Sequence, residues 1–327
     1  MKSNNLSAFV LSLDFELFWG VYESRGSEYY PAIQKVFTVV PRLLELFEKY
    51  EIACTWATVG ALFLEDVEGF EAYKPKNLPQ YVNRSLSPYD SVNNIASLDK
   101  KLLFAPELIK KIIKTPRQEI GAHTFAHYYT LEPGASTQDF RSDLEANLAV
   151  AEIYGLDLKS FVFPRNQFNR EYLEVCSSAN FLAYRGSPDH WAYKVVKGSR
   201  FNIFKRAFRL FDAYLPVSGH LTHSMKLKRQ GSIYNVPATL FFRAYSAKFK
   251  LIEHLKIKRM KFSMTIAARK GKLCHFWWHP HNFASNIDKN LAQIEELLRH
   301  FKFLEKKYNM VSMSMQDVAA LQGKTNE

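Results

Sequence analysis

Short apolar runs alternate with amphipathic stretches along the chain, and this alternation is typical of parallel β-α-β units. The expected strands are 8–13, 53–58, 120–122, 161–163, 182–184, 236–242, 273–278 and 310–314. Apolar residues at helical spacing predict helices over 41–50, after Ser136, and through 287–301. About eight strands over roughly 300 residues favour one (β/α) barrel over two small domains.

Two long connections interrupt this alternation. Residues 73–100 are rich in Pro, Asn and Ser, and residues 195–235 are basic. Long loops in a compact α/β protein are more often functional than accidental. The sequence contains no internal repeat and no low-complexity linker. Residues 1–327 are therefore interpreted as one domain that carries two insertions.

The composition is that of an ordinary globular protein. Hydrophobic residues make up 47% of the 327 residues and charged residues 23%, which excludes disorder, collagen and coiled coil as overall descriptions. Cys54, Cys176 and Cys274 are far apart and form no CxxC motif, which favours a reducing compartment. The first apolar run is too short for a signal sequence, and no stretch resembles a transmembrane helix. The sequence therefore predicts a cytoplasmic protein.

The net charge of +12 is concentrated in one region of the chain. Residues 191–272 contain 19 Lys or Arg and only two acids, Asp212 and Glu253. Such a region either meets an anionic partner or forms a well-solvated face. Nucleic acid is not the expected partner, because no recognition module is visible.

Residues 200–215 combine an apolar stripe with flanking cations. The stripe at helical spacing is Phe201, Phe204, Phe208, Phe211 and Leu215, and the cations are Lys205, Arg206 and Arg209. An interfacial helix on an anionic membrane has this make-up, and it would place the protein at the inner membrane surface. The preferred interpretation is an amphipathic helix packed on the barrel with its charges in water.

Two predicted strands end in pairs of polar side chains. Asp14 and Glu16 lie at i and i+2, so they would share one face of their strand and converge at its C-terminal end. Active sites of parallel barrels lie at that end. His123 and His127 follow another strand at i,i+4 spacing, which on a helical turn suits two ligands of one metal. The alternatives are solvated loop acids and satisfied core histidines.

Two further strand ends add a cation and a third imidazole. Arg165 stands beside Asn166 and could orient a carboxylate through a bidentate contact, although an ordinary surface arginine gives the same pattern. His279 ends the strand 273–278, where a histidine that titrates near neutral pH can serve as an acid. A carboxylate with two histidines is a three-ligand zinc set that leaves a position open for water.

At these motifs the sequence resembles the polysaccharide deacetylase family, the NodB-homology type of carbohydrate esterase family 4. Residues 12–16 (Ser-Leu-Asp-Phe-Glu) resemble its Thr-Phe-Asp-Asp-Gly motif, and residues 123–127 (His-Thr-Phe-Ala-His) match its His-Ser/Thr-x-x-His motif. Pro164-Arg165 resembles the motif that supplies an arginine, with Arg and Pro in reversed order. Residues 273–279 resemble the last motif, an apolar strand that ends in His. The motifs occur in family order over nearly the whole chain.

The resemblance implies a distorted (β/α)7–8 barrel that holds a divalent metal, with zinc as the expected ion. The roles that it implies are metal binding by Glu16, His123 and His127, and catalysis by Asp14 (general base), Arg165 (holding Asp14) and His279 (general acid). The family's adjacent Asp-Asp is Asp-x-Glu in this sequence. The sequence therefore leaves open which of Asp14 and Glu16 is the base and which is the ligand.

The resemblance also implies a sugar substrate. Trp19, Trp191 and Trp277, together with Asn166, are the expected substrate-binding residues, because aromatic side chains suit sugar rings. The expected activity is metal-dependent N-deacetylation of an amido sugar, linked to lipid or nucleotide, in polysaccharide or glycan biosynthesis. Two alternatives remain open: an amide hydrolase with a non-sugar substrate, and an inactive glycan-binding barrel. The retained acids, histidines and arginine argue against the inactive barrel.

Overall fold

The computed structural model of the protein describes residues 6–91, 95–194 and 203–323. The strands are β1 (Ser7–Phe15), β2 (Cys54–Thr58), β3 (Gln118–Ala122), β4 (Ser160–Phe161), β5 (Ala183–Tyr184), β6 (His223–Ser224), β7 (Arg229–Gln230), β8 (Ile233–Asn235), β9 (Leu240–Phe241), β10 (Lys272–Trp278) and β11 (Met310–Met313). The helices are α1 (Tyr30–Gln34), α2 (Val36–Lys49), α3 (Val67–Tyr73), α4 (Lys100–Leu103), α5 (Pro106–Lys114), α6 (Thr137–Glu152), α7 (Arg170–Ser178), α8 (Ile203–Asp212), α9 (Glu253–Lys270), α10 (Ile287–Tyr308) and α11 (Met315–Gly323).

The strands form one curled sheet in the order β6-β10-β1-β2-β3-β4-β5-β8-β7. Pairing is parallel from β10 through β1 to β8, while β6 with β10 and β7 with β8 pair antiparallel. β11 pairs with the first half of β1, and β9 pairs with β10. Helices cover the outer face, because parallel neighbouring strands are joined by crossover connections that usually contain a helix. The expected distorted α/β barrel is confirmed.

The central strand β1 is buried on both faces. Its alternate residues Phe9, Leu11, Leu13 and Phe15 belong to the main core cluster, which the surrounding helices share. Ala8 and Val10 belong to the second cluster, with residues of β2, β5, β10 and α11. Since side chains alternate along a strand, Ser12 and Asp14 continue this second face into the barrel interior.

Two expected elements have different bounds in the structure. The helix expected over 41–50 begins at Val36, so Pro41 lies inside α2 rather than at its start. Of the strand expected over 236–242, only Leu240–Phe241 forms a strand (β9), and β8 ends before that range at Asn235. Pro237 stands between them and has no N–H to donate to a ladder, so the strand breaks there.

Helix α8 exposes the apolar stripe that the sequence shows. Phe204 is 79% exposed, Phe211 56% and Leu215 43%. Phe208 stacks on the ring of His190, with ring centroids 5.4 Å apart. The interpretation that the stripe packs on the barrel is therefore wrong for most of it, although Phe201 lies outside the described residues. Among the helices of the described part of the chain, none is long and apolar enough to cross a membrane.

Candidate metal and catalytic site

The ends of β1 and β3 bring one carboxylate and two imidazoles together. Glu16 Oε2 lies 3.3 Å from His123 Nε2 and 3.1 Å from His127 Nε2. All three side chains are buried, and one potential ligand atom from each lies within 4.8 Å of the others. The sequence predicts this grouping of residues, and the structure brings them together.

The second nitrogen of each imidazole is already engaged. His123 Nδ1 donates to the Val162 carbonyl oxygen at 2.7 Å, and His127 Nδ1 lies 3.0 Å from the Tyr129 hydroxyl oxygen. A neutral imidazole that donates through Nδ1 keeps a lone pair on Nε2. Burial lowers the pKa of His127 despite the neighbouring Glu16 carboxylate, which favours that neutral form. This set fits the divalent metal that the resemblance implies.

The segment that carries the two histidines is an irregular turn rather than the expected helical turn. Thr124 and His127 have φ angles of 63° and 62°, in the left-handed region. Helix α6 holds this backbone: Asp143 Oδ1 accepts from the Phe125 N–H at 2.7 Å, and Asn147 Nδ2 donates to the Thr124 carbonyl at 3.0 Å. The turn still places the two imidazole centroids 5.1 Å apart.

Asp14 is held by an arginine that the sequence analysis missed. Arg185 directs Nη1 and Nη2 to Asp14 Oδ1 and Oδ2 at 2.5 and 2.7 Å, and it also reaches Ser12 Oγ at 3.1 Å. Both Arg185 and Asp14 are buried. Burial raises the pKa of Asp14, but the guanidinium beside it has the larger combined effect and holds that pKa below its usual value. Asp14 is therefore a buried, ionised carboxylate.

Arg165, which the resemblance assigned to Asp14, binds elsewhere. Its guanidinium pairs with Glu23 and with Glu132, the latter at 2.9 Å, and lies 3.8 Å from the Tyr129 ring centroid. The residue has a φ of 56°, and this left-handed backbone in the short turn after β4 accompanies the different direction of the side chain. The signal for Arg185 was available, because it directly follows the expected strand 182–184.

His279 faces both carboxylates from the end of β10. Its Nε2 lies 3.6 Å from Asp14 Oδ2 and 3.6 Å from Glu16 Oε1. His281 lies behind it, with ring centroids 5.1 Å apart, and burial together with the neighbouring His279 lowers the pKa of His281 to about 3. Glu16, His279 and His281 are a second group with ligand atoms close enough to hold an ion. Sequence reasoning did not identify His281.

His275 is a buried residue of β10 that contacts Ser12. Its ring is fully buried below Asp14, with Nε2 2.8 Å from Ser12 Oγ and Nδ1 3.2 Å from the Val236 carbonyl. Burial, with the nearby Arg185 charge, lowers the pKa of His275 to about 3. The His275 imidazole is therefore neutral, and its hydrogen bond with Ser12 helps to hold the residues beneath Asp14.

Residues 34–184 match the family model of polysaccharide deacetylases. The chain contains a polysaccharide deacetylase domain. The expected resemblance is therefore confirmed, and the enzyme class is that of hydrolases that act on the C–N bonds of acetylated sugars. A search of curated protein sequences finds no significant match.

Solved structures share the fold of this deacetylase domain. A candidate polysaccharide deacetylase from Mycobacterium smegmatis superposes with a TM-score of 0.64 at 13% identity, covering 100% of this chain and 93% of that one. The Puue allantoinase gives 0.56 at 11% identity, covering 98% and 91%. A candidate polysaccharide deacetylase from Pseudomonas aeruginosa PAO1 gives 0.55 at 11% identity, covering 98% and 92%. At these identities the likeness shows the fold.

Of the four residues expected to bind substrate, two line the cleft of the deacetylase domain and two do not. Trp277 and Asn166 line a cleft of about 880 Å³ above the carboxylates. Trp19 is fully buried, stacks on Phe70 with centroids 5.0 Å apart and donates to the Leu103 carbonyl, so its assignment to substrate is wrong. Trp191 packs on Phe208 instead of lining that cleft.

The same cleft also contains the acids, His127, Arg165 and His279. Trp277 lies under Arg185, with the guanidinium carbon 4.1 Å from the ring centroid, and Asn166 Oδ1 accepts from Arg185. The cleft therefore presents a buried ionised carboxylate, a candidate metal set and an imidazole to one substrate group.

Proposed function

We propose that the deacetylase domain is a metal-dependent enzyme that removes an acetyl, or another acyl, group from an amido sugar during polysaccharide or glycan biosynthesis. One observation carries this proposal: the Glu16–His123–His127 set and the Asp14–Arg185 ion pair lie in one cleft with His279. Acyl transfer to water needs a polarised carbonyl, a base and an acid, and the cleft offers a residue for each requirement.

Glu16, His123 and His127 would hold the metal. One carboxylate and two imidazole nitrogens are a set that zinc uses in hydrolases, with a further position open. When bound, a divalent ion polarises the acyl carbonyl and lowers the pKa of water. The geometry favours Glu16 over Asp14 as the ligand, because Glu16 contacts both histidines while both Asp14 oxygens face Arg185.

Asp14 would accept the proton of the attacking water. Arg185 keeps it ionised and fixes its orientation, and the carboxylate needs no reorganisation before it reacts. His279 would donate a proton to the departing amine, since it faces the cleft at 3.6 Å from both carboxylates. The C–N bond breaks, and the products are a carboxylic acid and an amino sugar.

Metal content and acetate release test this proposal. Purified wild-type protein should hold close to one divalent metal per chain, which His127→Ala should lose and the exposed control His254→Ala should keep. Asp14→Asn should keep the metal but lower the rate of acetate release from N-acetylhexosamines by about 10²–10⁴-fold. A metal-free wild type after zinc addition, or full activity of Asp14→Asn, would contradict the proposal.

A non-sugar amide remains the second candidate substrate. The specific observation is the fold shared with an allantoinase at a TM-score of 0.56. Allantoin and N-acetylhexosamines should be assayed side by side with the same protein. Hydrolysis of allantoin alone would replace the sugar proposal with this one.

We also propose that the substrate is linked to a lipid or a nucleotide and that α8 contacts an anionic membrane at its cytoplasmic face. Phe204 and Phe211 are largely exposed, and Arg206 lies between them on the helix. An exposed apolar stripe flanked by cations suits the headgroup region of such a membrane. The cytoplasmic location is supported by the three cysteines, which are buried and free.

Flotation with vesicles tests the membrane contact. The wild type should float with vesicles of phosphatidylcholine and phosphatidylglycerol at low salt, and less with phosphatidylcholine alone. Phe204→Ser with Phe211→Ser should abolish flotation, whereas Phe303→Ser, at a site 52% exposed on α10, should not. No flotation of the wild type would refute the contact.

A further inference from the structure

The wall of the cleft beyond Trp277 and His279 is formed by arginines. Arg206 and Arg209 project from α8, and Arg243 follows β9. Among the described residues, none of the three forms an ion pair with a carboxylate; Arg209 Nε donates only to the Lys205 carbonyl of its own helix. We call these three residues the arginine cluster.

Asp212, the acid at the end of α8, is already paired. Asp212 pairs with Arg259 at 2.9 Å and accepts from the Tyr193 and Ser218 hydroxyls at 2.5 and 2.8 Å. Arg259 itself is buried and lines the cleft, and its Nε and Nη1 have no hydrogen-bond partner in the described structure. The neighbouring segment 195–202 contains no acid in its sequence. Within the described residues, the arginines of this wall (Arg206, Arg209, Arg243 and Arg259) therefore have one ion pair with a carboxylate, the Arg259–Asp212 pair.

Uncompensated cations at a partly buried wall are unfavourable. Burial lowers the pKa of Arg243, and the charges of Arg209 and Arg206 act in the same direction. Arginines on an open surface would spread into water, whereas these three lie around one cavity. An anion in the cleft would remove both the repulsion and the unmet hydrogen bonds.

The arginine cluster adjoins the place where the acyl group would react. The Phe241 ring lies 4.7 Å from Trp277 and 5.9 Å from His279, measured between centroids. Arg243 stands two residues after Phe241, and the residue between them, Phe242, is buried in the core. Because side chains alternate along an extended chain, Arg243 lies on the same face of the chain as Phe241, about 7 Å further along.

We propose that Arg206, Arg209 and Arg243 form a phosphate-binding subsite, so that the substrate is an amido sugar carrying a phosphate ester. This inference rests on the deacetylase function proposed above. Guanidinium groups present two parallel N–H donors to phosphate oxygens, and several arginines match the charge of a phosphate or diphosphate better than that of one carboxylate. A nucleotide-linked and a lipid-linked sugar both offer this group.

Calorimetric titration with inorganic pyrophosphate tests the subsite without any turnover. The wild type should bind it saturably at low salt. Arg243→Gln should weaken binding about tenfold or more, Arg209→Gln should act in the same direction, and the exposed control Arg141→Gln on α6 should have no effect. Thermal unfolding of each variant checks that it is folded.

A variant of the candidate metal site separates the two places where phosphate could bind. His127→Ala should bind pyrophosphate as the wild type does, because the arginine cluster does not include that residue. Binding that is lost in His127→Ala but kept in Arg243→Gln and Arg209→Gln would place the anion at the metal and overturn the proposal. Absence of saturable binding in the wild type would overturn it as well.

Substrate comparison distinguishes the sources of the phosphate and separates this inference from the proposed function. The wild type should deacetylate N-acetylhexosamine 1-phosphate with a kcat/KM about tenfold or more above that of the neutral sugar, and Arg243→Gln should remove this preference. A UDP-linked sugar and a polyprenyl-phosphate-linked sugar in detergent then show which carrier is preferred. Equal rates for neutral and phosphorylated sugars would refute the subsite alone. Pyrophosphate binding without hydrolysis of any sugar would refute the deacetylase function alone.

Discussion

Replacing Arg185 with methionine should destabilise the protein more than most single substitutions. Arg185 is fully buried, and both of its terminal nitrogens donate hydrogen bonds to the Asp14 carboxylate, at 2.5 and 2.7 Å. Arg185→Met leaves the Asp14 carboxylate buried and without its cation. Breaking a buried pair in this way costs about 3–5 kcal/mol of the free energy of unfolding. The deacetylation rate should fall by about 10²-fold or more, because Asp14 loses both its orientation and its preference for the ionised form.

Urea unfolding at pH 7 measures this cost in a double-mutant cycle. The four proteins are the wild type, Arg185→Met, Asp14→Asn and the double variant. Asp14→Asn removes the charge that Arg185→Met exposes, so the double variant should be clearly more stable than the sum of the single effects predicts. A coupling of about 2 kcal/mol or more is expected for such a contact. Single effects that add within about 0.5 kcal/mol would refute the argument.

Arg165→Met is the matched control for this cycle. Arg165 pairs with Glu23 and Glu132 and has no contact with Asp14. Its combination with Asp14→Asn should therefore show little coupling in the free energy of unfolding. Strong coupling of Arg165 and weak coupling of Arg185 would restore the assignment that the sequence motif suggested.

Three further predictions concern β3 and the segment that follows it. Burial raises the pKa of Glu119 from 4.5 to about 7, so the folded protein keeps this carboxyl protonated at a pH where the unfolded chain ionises it. The contribution of Glu119 to the free energy of unfolding should therefore fall by up to about 3 kcal/mol between pH 4.5 and 7. Glu119→Gln should lack that fall in urea titrations. Tyr129→Phe removes the hydroxyl 3.0 Å from His127 Nδ1 and should weaken zinc binding about 10–100-fold in competition with a chelator; unchanged affinity would contradict that role. Gly121→Ala would place a Cβ 2.9 Å from the Ser160 carbonyl oxygen on the neighbouring strand, so the melting curve should show a loss of about 1–3 kcal/mol; an unchanged curve would mean that the strands separate easily.

The residues that converge at strand ends could be predicted because parallel strands share a direction. Asp14, Glu16, His123 and His279 each follow an apolar run, and the C-terminal ends of parallel strands meet at one side of the sheet. Period-two alternation also predicts that Asp14 and Glu16 share one face of their strand. Local rules are sufficient to predict such groupings, because a grouping at strand ends depends only on where each strand lies and on its direction.

The partner of Asp14 depends on how the sheet curls, which no local rule gives. β5 stands four places from β1 in the sheet order, and curling brings its end across the interior, so that Arg185 reaches Asp14. β4 lies one place closer along the sheet, yet its turn directs Arg165 to loop acids. The sequence motif correctly predicts an arginine at a strand end, but it selects the arginine after β4 instead of the one after β5.

The exposure of aromatic residues could not be predicted from the sequence either. Trp19 stands three residues after Glu16, but a short 3-10 turn directs it into the core against Phe70. Phe204 shows the opposite outcome, since it sits on a helix of strongly amphipathic sequence and remains 79% exposed. Apolar character predicts burial only when another surface is available to cover the side chain.

The charges of the cleft are arranged so that a substrate with one neutral and one anionic end would enter in a single orientation. At the strand ends, Arg185 offsets the charge of Asp14, and the divalent ion that Glu16, His123 and His127 would hold offsets the charge of Glu16. At the opposite wall, the arginine cluster has no carboxylate of its own in the described structure. A phosphate gains from pairing with the arginine cluster, whereas a neutral N-acyl group gains nothing there. The orientation that puts the acyl carbonyl beside Asp14 is therefore the one that the electrostatics of this cleft favour.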